Sequence, residues 1–208
     1  QQVGDVFLKT LVAVSALLML LACSHNIVVE GTIPTPRIAA LPVNVGIHYS
    51  EEFRSFEHKE VIEDIGSWRI SLGEQNYVFF RTLMDTMFET TQEVLEPPLS
   101  PAQLVGLDGV VVPEIEKYGF LTPGISGLNF YSASIHYRVT LFNIEGEKVH
   151  EWQIVGYGKS ETGLFNGDNA LKEATVMAIR DGGARIAIDI PQAPSVLSWV
   201  AEVNGGAS

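Results

Sequence analysis

From Ser132 to Ile144 the chain reads as one strand, and from Ala133 to Leu141 it alternates without a break. Ala133, Ile135, Tyr137, Val139 and Leu141 fall on one side, and Ser134, His136, Arg138 and Thr140 on the other. A period of two sustained over that length specifies a β-strand with one buried face. Glu145-Gly146 supplies a turn, and Lys148 to Tyr157 resumes the pattern, so the two runs read as an antiparallel hairpin. A hairpin this long with one apolar face must be covered by helices or by a second sheet.

The remaining patterns supply the cover. Leu41 to Tyr49 has apolar residues at odd positions and small or polar ones at even positions, which predicts a half-buried strand. The acidic stretch from Glu51 to Asp64 is interrupted by Phe53, Phe56, Val61 and Ile62 and reads as a surface excursion with a short helix. Ser71-Leu72-Gly73-Glu74 has the form of a capping box, opening a helix to about Leu95 with Phe80, Leu83, Met84, Met87, Phe88 and Val94 as its apolar stripe. Glu96-Pro97-Pro98 stops it. Gly109 to Phe120 reads as a strand in which Pro113 marks an edge or an irregularity. A last helix begins near Asp168 or Asn169, with Leu171, Ala174, Met177, Ala178 and Ala184 inward. Its Gly182-Gly183 pair implies close packing against the sheet or a break. The tail after Pro191 is a short amphipathic candidate.

The expected fold is therefore α+β, a two-layer sandwich in the order β-α-β-β-β-α. It has a mainly antiparallel sheet of about four strands and two helices on one face. Composition agrees with one globular domain: 208 residues are 46% hydrophobic and 18% charged. A net charge of −12 opposes a phosphate-tracking surface, so no nucleic acid is expected as a partner.

Thr10 to Ser24 carries no charged residue, and Lys9 stands just before it. Leu11 to Ala22 is about a dozen residues, short of the roughly 20 that cross a bilayer as a helix. A charged flank, a short apolar run and small residues at its end describe a secretory leader. The run ends at Cys23, the one cysteine of the chain, so no intrachain disulfide can staple the fold.

Leu20-Leu21-Ala22-Cys23 resembles the lipobox of bacterial lipoproteins. That resemblance implies a diacylglycerol on the Cys23 sulfur, cleavage before it and acylation of the freed amine. Two or more acyl chains hold firmly where one does not. Ser24, rather than aspartate, follows the cysteine, which implies the periplasmic face of the outer membrane. The chain then divides into a leader over 1–22, an acylated cysteine and tether over 23–37, a periplasmic domain over 38–190 and a tail over 191–208.

As a whole the chain is similar to a group of small outer-membrane lipoproteins. These include the periplasmic domains of the curli-secretion and Pel-polysaccharide export lipoproteins and the lipoprotein activators of cell-wall synthases. The likeness is carried by "AALPVNVGI", "LGEQNYVFFRTLMDTMF", "SIHYRVTLFNIEGEKVHEWQIVGYG" and "ALKEATVMAIRDGGARIA". It implies a non-enzymatic module that contacts other envelope proteins, in some cases as a ring of copies.

Chemistry-bearing motifs are sparse. Gly158-Lys159-Ser160 invites a phosphate-loop reading, but the glycine that motif needs upstream is Gln153, and a hairpin end is the better account. Glu57, His58, Glu60, Glu63 and Asp64 could face a divalent ion, yet a run charged on all sides reads as a solvated face. The chain has no Gly-x-Ser-x-Gly elbow, paired-histidine zinc signature or dinucleotide fingerprint, so no catalytic residue, metal or cofactor is expected. His136 and Arg138 share a strand face and His150 is expected across the hairpin near them. With Trp199 in the tail they are the candidate partner contacts, although ordinary solvent-side polarity also accounts for the first three and late packing for Trp199. Two alternatives stand beside the binding module. A carrier of a lipid or other apolar ligand needs an enclosed pocket between sheet and helices. An envelope hydrolase needs a deep cleft with a coupled histidine and carboxylate, for which His136 and His150 are the first candidates.

Overall fold

The hairpin is the spine of the structure, a computed structural model that describes residues 24–34, 36–97, 100–161 and 167–205. The expected leader, its lipobox and Cys23 lie outside the described residues. In chain order the elements begin with strands β1 (Ser24–Val28) and β2 (Leu41–Ile47), helix α1 (Glu51–Arg54), and strands β3 (Glu57–Ile62) and β4 (Gly66–Ser71). Helix α2 (Gly73–Met87), strands β5 (Phe88–Glu93) and β6 (Gly109–Leu121) and helix α3 (Pro123–Ser126) follow. Strands β7 (Phe130–Asn143) and β8 (Lys148–Glu161) and helices α4 (Gly167–Gln192) and α5 (Pro194–Gly205) complete the order.

Five strands form one sheet in the order β5-β2-β6-β7-β8, and three form a smaller one in the order β1-β4-β3. The class is α+β, but the architecture corrects the expectation. Two mixed sheets and five helices, among the described residues, stand where one sheet of about four strands and two helices was expected. β2 runs parallel to both β5 and β6, while β6, β7 and β8 are antiparallel in succession. Ile135, Tyr137 and Val139 of the expected inner face are fully buried.

Three local differences explain the change. The helix expected to reach Leu95 ends at Met87, and Phe88 turns extended (φ −123°, ψ 155°). Glu89-Thr90-Thr91-Gln92 is better placed in β5, where β-branched threonines pair with the free edge of β2. The capping box does not form: Leu72 is the N-cap, and the Ser71 hydroxyl donates instead to Glu57 at 3.2 Å from within β4. Gly73 is required there for another reason, because a Cβ would strike the Arg54 carbonyl. The segment read as a tether carries β1, paired in parallel with β4, and buries Ile27 and Val29.

Pro113 sits in β6 opposite Val139 without harm, because β2 pairs with β6 only as far as Val111 and leaves that flank open. A register shift between Ile115 and Lys117 follows. In α4 the buried line runs Leu171, Ala174, Thr175, Ala178, Ile179, Gly182, Gly183 and Ile186, with no break at the glycine pair. Met177 and Ala184 were placed inward from the sequence but face out, one step off that line.

Candidate functional site

The long strand β8 is the outer strand of the larger sheet, and its two faces differ in kind. Trp152, Ile154, Gly156, Gly158 and Ser160 point toward the helices, while Gln153, Val155, Tyr157 and Lys159 are exposed on the far side. Gly158-Lys159-Ser160, read as a hairpin end, lies near the end of β8, where Lys159 and Ser160 pair with Ser132 and Tyr131 at the start of β7. A Cβ on Gly156 would meet the Ala178 carbonyl oxygen and one on Gly158 the Ala174 carbonyl oxygen. The glycines let α4 lie directly on the strand, and a Cβ on Gly182 of the helix would itself come within 2.7 Å of the Tyr137 ring.

The far face of the sheet carries two of the expected contact residues. His136 stands between Lys117 and Val155, and Arg138 between Glu114 and Gln153. Arg138 is already matched within the chain: it pairs with Glu114 at 3.4 Å and more closely with Glu116. A partner's carboxylate would have to displace one of them. What remains accessible is an amphipathic patch, with Val155 44% and Tyr157 53% exposed beside His136. Asp181 accepts from the Tyr157 backbone N–H at 3.0 Å, which closes one open donor on the sheet edge.

The other two expected contacts are elsewhere. His150 pairs with Leu141 rather than near His136, its Nδ1 lies 2.8 Å from the Ser195 hydroxyl, and its ring packs on Trp152 at 4.5 Å. Trp199 is buried, 6% exposed, beneath Gly109, where a Cβ would come within 2.9 Å of its ring. The apolar stripe of α5 is a core stripe, and Trp199 has no free face for a partner.

A second polar cluster was not legible in the sequence. His25 of β1 stacks on Trp68 with centroids 5.0 Å apart and planes 8° from parallel, and Trp68 in turn packs on Phe120 at 5.5 Å. His25 Nδ1 is 2.7 Å from Asp168 Oδ1 in the first turn of α4. This is the coupled histidine and carboxylate that a hydrolase would use. Both side chains are substantially exposed, at 33% and 50%. The pair ties β1 to α4. The residues are 143 positions apart, so no local pattern could have joined them.

The acidic run resolves into separate pairs. Lys59 and Arg69 contact the Glu57 carboxylate at 2.7 and 2.8 Å. Its bond with Lys59 chiefly, helped by Ser71 and Arg69, holds that carboxyl below the usual range. His58 bonds Glu60 at 2.9 Å. Among the described residues no group of three or more His, Cys, Asp or Glu is arranged to hold a metal ion.

The layer between the larger sheet and the helices is filled by Phe79, Phe80, Ile135, Tyr137 and Ala178, all buried. A cavity of about 330 Å³ lies on the other side, an open groove lined by Pro97, Leu104, Val110, Phe142, Ile144 and neighbours. No described helix is long and apolar enough to cross a membrane.

No model of a known protein family matches the chain, and no curated protein does. Solved structures do. A Xanthomonas campestris protein of the DUF330 family is 7% identical with a TM-score of 0.50, covering 88% of this chain and 99% of its own. A homologue of a neuraminyllactose-binding hemagglutinin from Helicobacter pylori is 10% identical (TM-score 0.46), with 85% of this chain and 97% of that one covered. A lipoprotein of Neisseria meningitidis is also 10% identical (TM-score 0.29), with 74% and 96% covered. At such identities the likeness to the Xanthomonas protein is one of fold, and the two weaker matches add nothing to it.

Proposed function

We propose that the protein is a lipoprotein held by acylated Cys23 on the periplasmic face of the outer membrane. Its domain serves as a non-enzymatic binding and assembly module in an envelope export, secretion or biogenesis apparatus. The observation that carries this reading is the motif itself. Leu20-Leu21-Ala22-Cys23 closes an apolar run, and every described element lies after it. Cleavage before Cys23 would leave every described element intact. The open sheet face with Val155, Tyr157 and His136 offers a surface for protein partners, as Tyr beside an aliphatic residue does at many interfaces. Confinement to a membrane raises the domain's effective concentration toward other membrane-held proteins without any new contact.

Two experiments test the two parts. Radiolabelled palmitate is expected to enter the protein, and globomycin to block its maturation; an unlabelled protein processed despite the drug overturns the anchor. A photocrosslinker at Val155 or Tyr157 is expected to capture an envelope protein or a second copy in intact cells. A chain that is always solitary overturns the module.

A further inference from the structure

We infer that the end of the domain bearing Ser24, Val61 and Leu128 lies flat against the phospholipid surface, so that the anchored protein stands upright with no spacer beneath it. The inference rests on the acylated Cys23 proposed above and adds the orientation. One peptide unit separates Cys23 from Ser24, and consecutive Cα atoms stand about 3.8 Å apart. The sulfur's glyceride sits where headgroups meet hydrocarbon, and the headgroup layer is only about 6 Å deep. Ser24 is therefore at or within that layer for as long as β1 stays in its sheet. Five successive pairs with β4 and the burial of Ile27 and Val29 hold it there.

The register then names the neighbours. Ser24 pairs with Ser67 of β4, and Ser67 with Val61 of β3, so the three residues form one row at one end of the small sheet. The β3–β4 turn containing Ile65 caps that row. Helix α3 abuts the turn, since a Cβ on Gly124 would stand 3.7 Å from Ile65 Cγ2. Leu121, the last residue of β6, and Leu128 flank α3. Val61 is 82%, Leu128 51% and Leu121 42% exposed, an apolar rim around the point where the anchor leaves the fold. Glu63 and Asp64 project from the same turn and are exposed. Carboxylates cannot enter hydrocarbon without a large desolvation cost, so they hold the tip at headgroup depth. There they match the ammonium of a zwitterionic ethanolamine lipid, and Lys59 and Arg69, which line a hollow beside Ser24 and Val61, match its phosphate.

The test uses the full chain purified from bacterial membranes and placed in phosphatidylethanolamine vesicles doped with phosphatidylglycerol. Because acylation consumes the natural thiol, a single cysteine from Val61→Cys, Leu128→Cys or Val105→Cys takes a nitroxide label specifically. Val105 is 79% exposed and lies in the loop before Gly109, beyond the opposite end of β6, a strand whose 13 residues span about 40 Å. The ratio of oxygen to nickel-chelate accessibility is expected to be several-fold higher at 61 and 128 than at 105. Equal ratios at all three positions, with mass spectrometry showing Cys23 acylated, overturn the orientation and leave the anchor standing. A bare Cys23 overturns both. All three positions are exposed, so the labels leave the packing intact.

Discussion

The Tyr137 hydroxyl donates to the side-chain oxygen of Asn76, joining the centre of β7 to the first turns of α2 where both residues are fully buried. Asn76 donates its amide N–H to the Leu72 carbonyl at 2.7 Å, so its oxygen, its nitrogen and the buried phenol are all satisfied together. Tyr137→Phe strands the Asn76 oxygen and is expected to cost about 1–3 kcal/mol in urea unfolding. A phenylalanine variant as stable as the parent would show that the bond contributes nothing.

Tyr49 is the opposite case. Its hydroxyl is buried and has no hydrogen-bond partner among the described residues. Tyr49→Phe removes an unsatisfied group while keeping the ring packed on Phe53 and Tyr77, so it is expected to raise stability by up to about 1 kcal/mol. A fall in the urea midpoint would contradict the burial of that oxygen.

Burial pushes the phenols of Tyr49, Tyr118 and Tyr137 above their ordinary value of 10.0. Up to pH 10 both folded and unfolded chains hold these protons. Above it the unfolded chain ionises while the folded one resists, so stability present at neutral pH is lost as the solution becomes alkaline. Each such tyrosine steepens the loss by up to about 1.4 kcal/mol per pH unit. Urea midpoints measured from pH 8 to pH 11 are expected to fall less in Tyr49→Phe than in the parent; parallel curves would refute the shift.

Gly158 is held by the approach of α4. Gly158→Ala places a methyl against the Ala174 carbonyl, backbone that cannot rotate away, and is expected to cost about 1–3 kcal/mol or more. The same substitution at Gly146, whose Cβ would meet nothing within 4 Å but whose φ is +81°, is limited to backbone strain of about 1–2 kcal/mol. Thermal melts of both variants separate collision from strain.

Ile27→Ala distinguishes a strand from a spacer. A residue in a flexible tether would tolerate the change, whereas one 4% exposed in β1 is expected to cost about 2–4 kcal/mol. Loss of hydrogen-exchange protection in β1 and faster cleavage between Val28 and Arg37 are expected to accompany it.

Legibility followed the range of the interactions. The hairpin from Ser132 was plain because one buried face writes a period of two into the chain, and β7 pairs along its whole length with its sequence neighbour β8. Phe80, Leu83, Met84 and Met87 were plain for the helical equivalent of that reason. His136 and Arg138 share the open sheet face, as their spacing indicated. Trp199 was left between partner and packing because an amphipathic tail looks the same whether its apolar stripe meets a partner or the chain's own core, and the core took it. The His25–Asp168 pair could not be anticipated at all.

The sequence by itself determined the class, the central hairpin and the apolar faces, because each depends on residues a few positions apart. Only the tertiary structure decided that Phe88 to Glu93 would leave the helical pattern for a strand, that residues after Cys23 would join a second sheet, and where the glycines of β8 would be spent. Those outcomes turn on which distant strand edge is left unpaired and which helix lies close enough to touch, and neither distance is written in a local pattern.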